Sequence, residues 1–316
     1  MSGPLTCVRL GLAAAWRHRR LVLLVWALFL FAALIAAAPA WRWWNATLSL
    51  APEGDRLLDG LNLALLRELS HFDRSPTWAI AFGTLFAFIL SMLVLNPFVA
   101  SGLLSVLMEP GTRFFEGGGR RYGLFLRLLL LTGVIGVLLV MLFMSALMPI
   151  MHIADTNALE PLYLLTAAMI PAALALAFWL ASLLLDVARI RAVRTGERRA
   201  WRAMRGGIGF LWRNAAATLG VGIAFALLTG LVFAIYFSVS SAVTPKSWGA
   251  ILLAIVWQQA LSFTRTALRV SMLAAGVELV SSREPVVPRQ AEPIPGSVTS
   301  NLAPPEEPLL ASIDPS

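Results

Sequence analysis

The sequence predicts an all-α protein, a polytopic membrane helix bundle of six transmembrane helices with interfacial amphipathic helices. Three observations carry that expectation. Of the 316 residues 59% are apolar and 13% charged, whereas soluble domains run at roughly 45–50% and 25%. The apolar residues gather into six long blocks, and the basic residues, 24 arginines and one lysine, crowd between alternate blocks. A mean hydropathy of +0.78 excludes a disordered chain and a soluble nucleic-acid binder. The single cysteine, Cys7, excludes an internal disulfide and a cysteine-based metal site.

A span needs about 20 apolar residues. Leu21–Ala40, Trp78–Leu95, Leu124–Met148, Leu162–Leu185, Ala215–Val239 and Trp248 to about Met272 meet or approach that length. Ala38-Pro39-Ala40 has the small-residue character of a signal cleavage site. A signal's apolar region is about 7–15 residues long, so the longer run is expected to stay as the first span. The sixth block is the least apolar, since Gln258, Gln259, Arg265 and Arg269 fall inside it.

The arginines set the expected orientation. Arg9 to Arg20 precede span one, Arg113 to Arg127 connect spans two and three, Arg189 to Arg213 connect spans four and five, and Arg265 to Arg289 end or follow span six. That side collects 20 basic residues, and the other holds five, Arg42, Arg56, Arg67, Arg74 and Lys246. The positive-inside rule then places both termini in the cytoplasm of a bacterial inner membrane.

Between the spans, Leu58, Leu61, Leu65, Leu69 and Phe72 recur at helical spacing, which predicts an amphipathic helix on the outer leaflet, anchored by Trp41, Trp43 and Trp44. Asn96-Pro97 pairs a capping residue with a first-turn proline, so a helix is expected to stop there and a short one to run from Phe98 to Glu109. Glu116-Gly117-Gly118-Gly119-Arg120-Arg121 reads as a basic hinge; it lacks the G-x-x-x-x-G-K-[ST] pattern of a phosphate loop. Trp201, Met204, Ile208 and Leu211 share a helix face apart from Arg198, Arg199, Arg202 and Arg205, an arrangement suited to anionic lipid at the inner leaflet. A weak repeat joins these pieces: Gly11 to Trp16-Arg17 matches Gly207 to Trp212-Arg213 in spacing, each just before an outgoing span. Three hairpins, each with an amphipathic lead-in helix, are the simplest architecture. The membrane domain is expected over residues 1–282. Residues 283–316 hold eight prolines and no periodicity, and read as a disordered cytoplasmic tail.

Polar residues inside a membrane are functional candidates by default. Gln258, Ser262, Arg265 and Arg269 lie within about 40° of one helix direction, one polar stripe expected to face the bundle interior or a wet cavity as a substrate or lipid path. No acid stands between Glu197 and Glu278, which disfavours a carboxylate-driven carrier and leaves no paired carboxylates for acid–base chemistry in the bilayer. His71 with Asp73, and His152 with Asp155, have ligand types suited to zinc but short, unrelated spacings, so no metal site and no cofactor is expected. No hydrolase or metalloprotease motif is present.

Asn96-Pro97-Phe98, Phe114-Phe115-Glu116-Gly117-Gly118-Gly119-Arg120 and Asp186-Val187-Ala188-Arg189-Ile190 resemble a widespread family of six-helix bacterial inner-membrane proteins of unknown activity. More distantly, they are similar to the membrane domain accompanying some glycerophosphoryl diester phosphodiesterases. Val187 stands where the resemblance implies an aromatic, and no phosphodiesterase domain is read after the spans, so no catalytic residue is implied. Asp186 and Arg189 become candidates for a structural ion pair, with Arg265 or Arg269 as further partners for Asp186. The expectation is a non-enzymatic membrane protein acting through anionic lipid headgroups, a protein partner or a second copy at its basic face, with transport or lipid handling along the stripe as the alternative.

Overall fold

The computed structural model describes residues 3–47, 77–109, 111–156, 160–242 and 248–284. Among them the chain forms helices α1 (Pro4–Arg17), α2 (Arg19–Thr47), α3 (Thr77–Met108), α4 (Phe114–Arg120), α5 (Tyr122–Thr156), α6 (Glu160–Thr195), α7 (Ala200–Arg213), α8 (Ala215–Ala242) and α9 (Trp248–Arg283). Six of these, α2, α3, α5, α6, α8 and α9, are long and apolar enough to cross a membrane, one for each expected block. The chain is an all-α integral membrane protein. The expected amphipathic segment at Leu58–Phe72 and the proline-rich tail lie outside the described residues.

The helices fall into three sets, each a short lead-in, an outgoing helix and a return helix: α1–α2–α3, α4–α5–α6 and α7–α8–α9. Each lead-in ends at one residue with nearly the same backbone, His18 (φ −98°, ψ 35°), Arg121 (φ −117°, ψ 10°) and Asn214 (φ −123°, ψ 31°). The chain turns there through the sparsely populated region near ψ 0°. The next helix starts at once, because the same residue's carbonyl accepts from the N–H four residues on: Val22 at 3.2 Å, Phe125 at 3.1 Å and Thr218 at 3.0 Å. These three residues are buried, and so are Val25, Leu128 and Val221 one turn later. The repeat read faintly in the sequence is a repeat of structure.

Packing closes the sets into a ring. Each lead-in lies against the return helix of the preceding set, α4 on α3, α7 on α6 and α1 on α9, while the three return helices touch one another. The contact is close where glycine allows it. A Cβ on Gly207 would stand 3.0 Å from the Ala188 Cβ, and one on Gly11 would meet the Ser271 carbonyl oxygen and lie 2.8 Å from the Ala275 Cβ. The two glycines that the sequence repeat aligns therefore do the same job in two sets.

The packed core lies at the arginine-rich end, around Leu104, Phe125, Leu128, Ile190, Met204 and Phe210 and around Val22, Val25, Leu103 and Val270. Toward the far end burial falls away: residues 82–96 of α3 and 248–269 of α9 include no buried residue.

Two sequence expectations are corrected here. The chain does not break at Asn96-Pro97; α3 runs through it with Pro97 inside. Proline removes one helix hydrogen bond, which membrane helices tolerate among close neighbours, and buried Val99, Ala100, Leu103 and Leu104 follow it. The glycine run is not a hinge but part of α4. Gly117 and Gly118 are buried against Ser105 and Phe98 of α3, and the Ser101 hydroxyl donates to the Gly117 carbonyl at 2.7 Å. Glycine's lack of a side chain serves the close approach of two helices, not flexibility.

Glu109, just past α3, ties this corner. Arg121 donates to its carboxylate and Arg120 lies 3.7 Å away, and the hydrogen bond from Arg121 holds the carboxyl below the usual range. A lowered folded-state pKa contributes stability above the unfolded value, lost as pH falls through the folded one. Thermal unfolding should therefore show the wild type losing about 1 kcal/mol between about pH 5 and 3 relative to Glu109→Gln, which lacks that titration; parallel profiles would count against the tie.

Candidate functional site

A polar cluster joins the three return helices. Asp186 of α6 is buried at 5% exposure, and Arg269 of α9 grips it with both terminal nitrogens, Nη1 to Oδ2 and Nη2 to Oδ1, each at 2.6 Å. Such a two-pronged pair is stronger and more directional than a single contact. Arg189, one turn along α6, is fully buried. Its Nη1 donates to the Asn96 Oδ1 of α3 at 3.4 Å, and its guanidinium carbon lies 5.4 Å from the centre of the Phe125 ring. Its Nε and Nη2 have no acceptor among the described residues. Two guanidinium groups thus lie near one carboxylate, and one of them holds it.

Asp186 takes Arg269, one of the cross-helix partners the sequence allowed. Among the described residues it forms no ion pair with Arg189, whose side chain goes to α3 and α5 instead. Beside Asp186 a cavity of about 30 Å³ is walled by Leu183, Thr218, Val221, Met272 and Gly276. That volume matches about one water molecule, so this cavity is not a substrate chamber.

The stripe is corrected in its surroundings but not in its register. Arg269 meets Asp186, and a Cβ on Gly276 would meet Ile190, so at the basic end this face of α9 looks toward α6. Farther along, Gln258, Ser262 and Arg265 are exposed instead of turned into a packed interior, because α9 buries nothing before Val270. Arg265 lies 5.2 Å from the centre of the Phe233 ring of α8. Among the described residues no carboxylate comes within ion-pair distance of it. On the flank of the stripe, Trp257 stacks on Tyr236 with ring centres 6.3 Å apart.

At the basic end, Arg198 and Arg199 just before α7 and Arg202 and Arg205 on it are exposed, together with Trp201 and Trp212. Its buried face is Ala203, Met204, Gly207 and Phe210. The sequence grouped Trp201 and Ile208 with Met204; the helix is instead rolled so that both face outward, because Gly207 must meet Ala188. The lead-in α1 repeats the pattern, with Cys7, Val8, Gly11 and Ala15 buried and Leu5, Trp16, Arg9 and Arg17 exposed. Glu284 bridges Arg191 at 2.9 Å and Arg213 at 3.6 Å, joining the end of α9 to α6 and α7.

Among the described residues no three His, Cys, Asp or Glu side chains group to hold a metal ion; His71 and Asp73, and the side chains of His152 and Asp155, lie outside them. Cys7 is buried in α1, and that burial pushes its thiol up. Sequence reasoning missed Asn96 as a polar partner, although an amide within an apolar run was a signal that could have found it. No family model, curated protein or solved structure matches the chain.

Proposed function

We propose that the protein is non-enzymatic and holds anionic lipid headgroups at its basic end, which faces the cytoplasm of a bacterial inner membrane. The observation that carries this reading is that α1 and α7 each expose tryptophan and arginine side chains on one side while the other side is buried in the bundle. A helix that presents aromatic and basic residues together lies at the headgroup level, where tryptophan is favoured and each arginine contributes about 1 kcal/mol near an anionic surface. The resemblance to six-helix inner-membrane proteins supports the same placement.

Tryptophan quenching by brominated lipids tests it. Reconstituted wild-type protein should prefer brominated phosphatidylglycerol over brominated phosphatidylcholine, and the preference should fall at least about tenfold when Arg198, Arg199, Arg202 and Arg205 are all changed to glutamine. An undiminished preference overturns the reading. Lipid handling or transport along α9 is a second reading, favoured by the exposure of Gln258, Ser262 and Arg265 in an otherwise apolar span. A protein partner or a second copy at the basic end is the remaining alternative.

A further inference from the structure

Asp186 has two arginines within reach and holds one of them. We propose that the stripe Gln258–Ser262–Arg265 seats a phosphate group, which takes Arg269 from Asp186, whereupon Asp186 closes on Arg189. The inference rests on the second reading above, that the exposed stripe is used, and adds both its ligand chemistry and its consequence.

The chemistry of the stripe selects an anion. The amide of Gln258 and the hydroxyl of Ser262 can donate, and the guanidinium groups of Arg265 and of the neighbouring Arg269 only donate. Guanidinium forks match phosphate oxygens two at a time. Arg265 is exposed and has no carboxylate within ion-pair distance among the described residues, so an arriving phosphate meets no competing acid there. The next residue of the stripe toward the basic end is Arg269, whose side chain is 39% exposed while its partner Asp186 is 7% exposed. An anion moving along the stripe thus reaches the open side of the bridge.

The second observation lies behind the bridge. Arg189 is fully buried, and two of its nitrogens lack an acceptor among the described residues, a deficit in the present arrangement. It stands three residues after Asp186 on α6, and residues at that spacing are neighbours on a helix. Once Arg269 turns to phosphate, the freed carboxylate has a partner at hand and Arg189 gains its missing acceptor. The exchange replaces an ion pair between α6 and α9 with one inside α6. Phosphate binding on the stripe therefore loosens the contact between two return helices.

The full chain in phosphatidylcholine nanodiscs provides the test, with two probes: inorganic phosphate followed by calorimetry, and phosphatidylglycerol doped into the nanodisc and followed by native mass spectrometry. Arg265→Gln should weaken binding about tenfold, the loss of one charge-assisted contact. Asp186→Asn removes the competing carboxylate and should tighten binding by a similar factor. Arg189→Gln should weaken it, and this effect should vanish in the Asp186→Asn background. Arg265→Gln at its exposed position and Arg189→Gln keep the test open where Asp186→Asn does not fold.

Binding of inorganic phosphate identifies a soluble ligand, and binding of phosphatidylglycerol alone identifies a lipid headgroup; either supports the proposal when the variants behave as stated. If Arg265→Gln weakens binding but Asp186→Asn and Arg189→Gln leave it unchanged, the stripe stands and the exchange is overturned. If Arg265→Gln has no effect while the four-arginine variant of α7 loses phosphatidylglycerol, the basic-end reading stands and the whole proposal is overturned.

Discussion

Asp186→Ala should lower the stability of the folded protein by about 3 kcal/mol, the largest effect expected of any single substitution in the polar cluster. The carboxylate is buried and gripped at two points by Arg269, and it is the acid nearest to the buried Arg189 on its own helix. Removing it leaves Arg189 with Asn96 and the Phe125 ring, and Arg269 with the Met272 sulfur, among the described residues. Breaking one side of a buried pair leaves the other charge uncompensated, at a cost of about 3–5 kcal/mol. Arg269 is partly exposed, which keeps the expectation at the low end. Exchanging both sides for apolar residues, Asp186→Leu with Arg269→Met, should recover part of the loss, because Arg269 is then no longer left without its carboxylate and only the Arg189 charge stays unmatched. Tryptophan-monitored thermal unfolding in a mild detergent reads both changes. A loss below about 1 kcal/mol for Asp186→Ala would contradict the role assigned to the cluster.

Gly11→Val and Gly207→Val should each cost about 3 kcal/mol by overpacking. Both would drive a branched side chain into a neighbouring return helix, into the Ser271 carbonyl and Ala275 in one case and into Ala188 in the other. The opposing atoms are backbone or Cβ, which cannot swing aside as a long side chain could. Gly119→Ala is the control. It lies in α4 with nothing within 4 Å of an added Cβ, and alanine favours a helix over glycine by up to about 1 kcal/mol, so that variant should be neutral or slightly more stable. Equal behaviour of Gly11→Val and Gly119→Ala in the same unfolding assay would show that α1 is not seated on α9 as described.

The sequence made the six apolar spans, their places and the amphipathic segment before the fifth span legible, because each depends on the chain's own composition and local spacing. It also showed that Gln258, Ser262, Arg265 and Arg269 share a line, since helical periodicity fixes which residues share a face. What the periodicity of one helix cannot tell is which neighbour that face meets. The stripe was expected to face the bundle interior or a wet cavity, and three of its four residues are exposed and not packed inside. Trp201 and Ile208 were expected with Met204, and a glycine on the next turn sets a different roll. Asn96-Pro97 and the glycine run both carry strong local signals for a break or a hinge, and in both cases close packing at the arginine-rich end overrides them. Arg189 carried no local sign that it would be fully buried, because its burial comes from α3, α5 and α6 meeting at one level.

The repeat bears on how function divides between the two ends. Three lead-in helices are fixed to three return helices, so the exposed arginines and tryptophans of α1 and α7 sit on a rigid platform. The far halves of α3 and α9 bury nothing among the described residues, so the stripe runs along a loosely packed region toward the locked centre. The proposed function depends on the first of these, the exposed arginines and tryptophans of the basic end, and the second reading on the polar line.

The native mass spectrum of the intact protein, extracted from membranes in a mild detergent, tests the central claim most directly. The account predicts that the wild type retains anionic phospholipid in fixed stoichiometry and that the variant with Arg198, Arg199, Arg202 and Arg205 changed to glutamine loses it. A bare protein, or one that carries a polypeptide partner or a second copy and no anionic lipid, would contradict it.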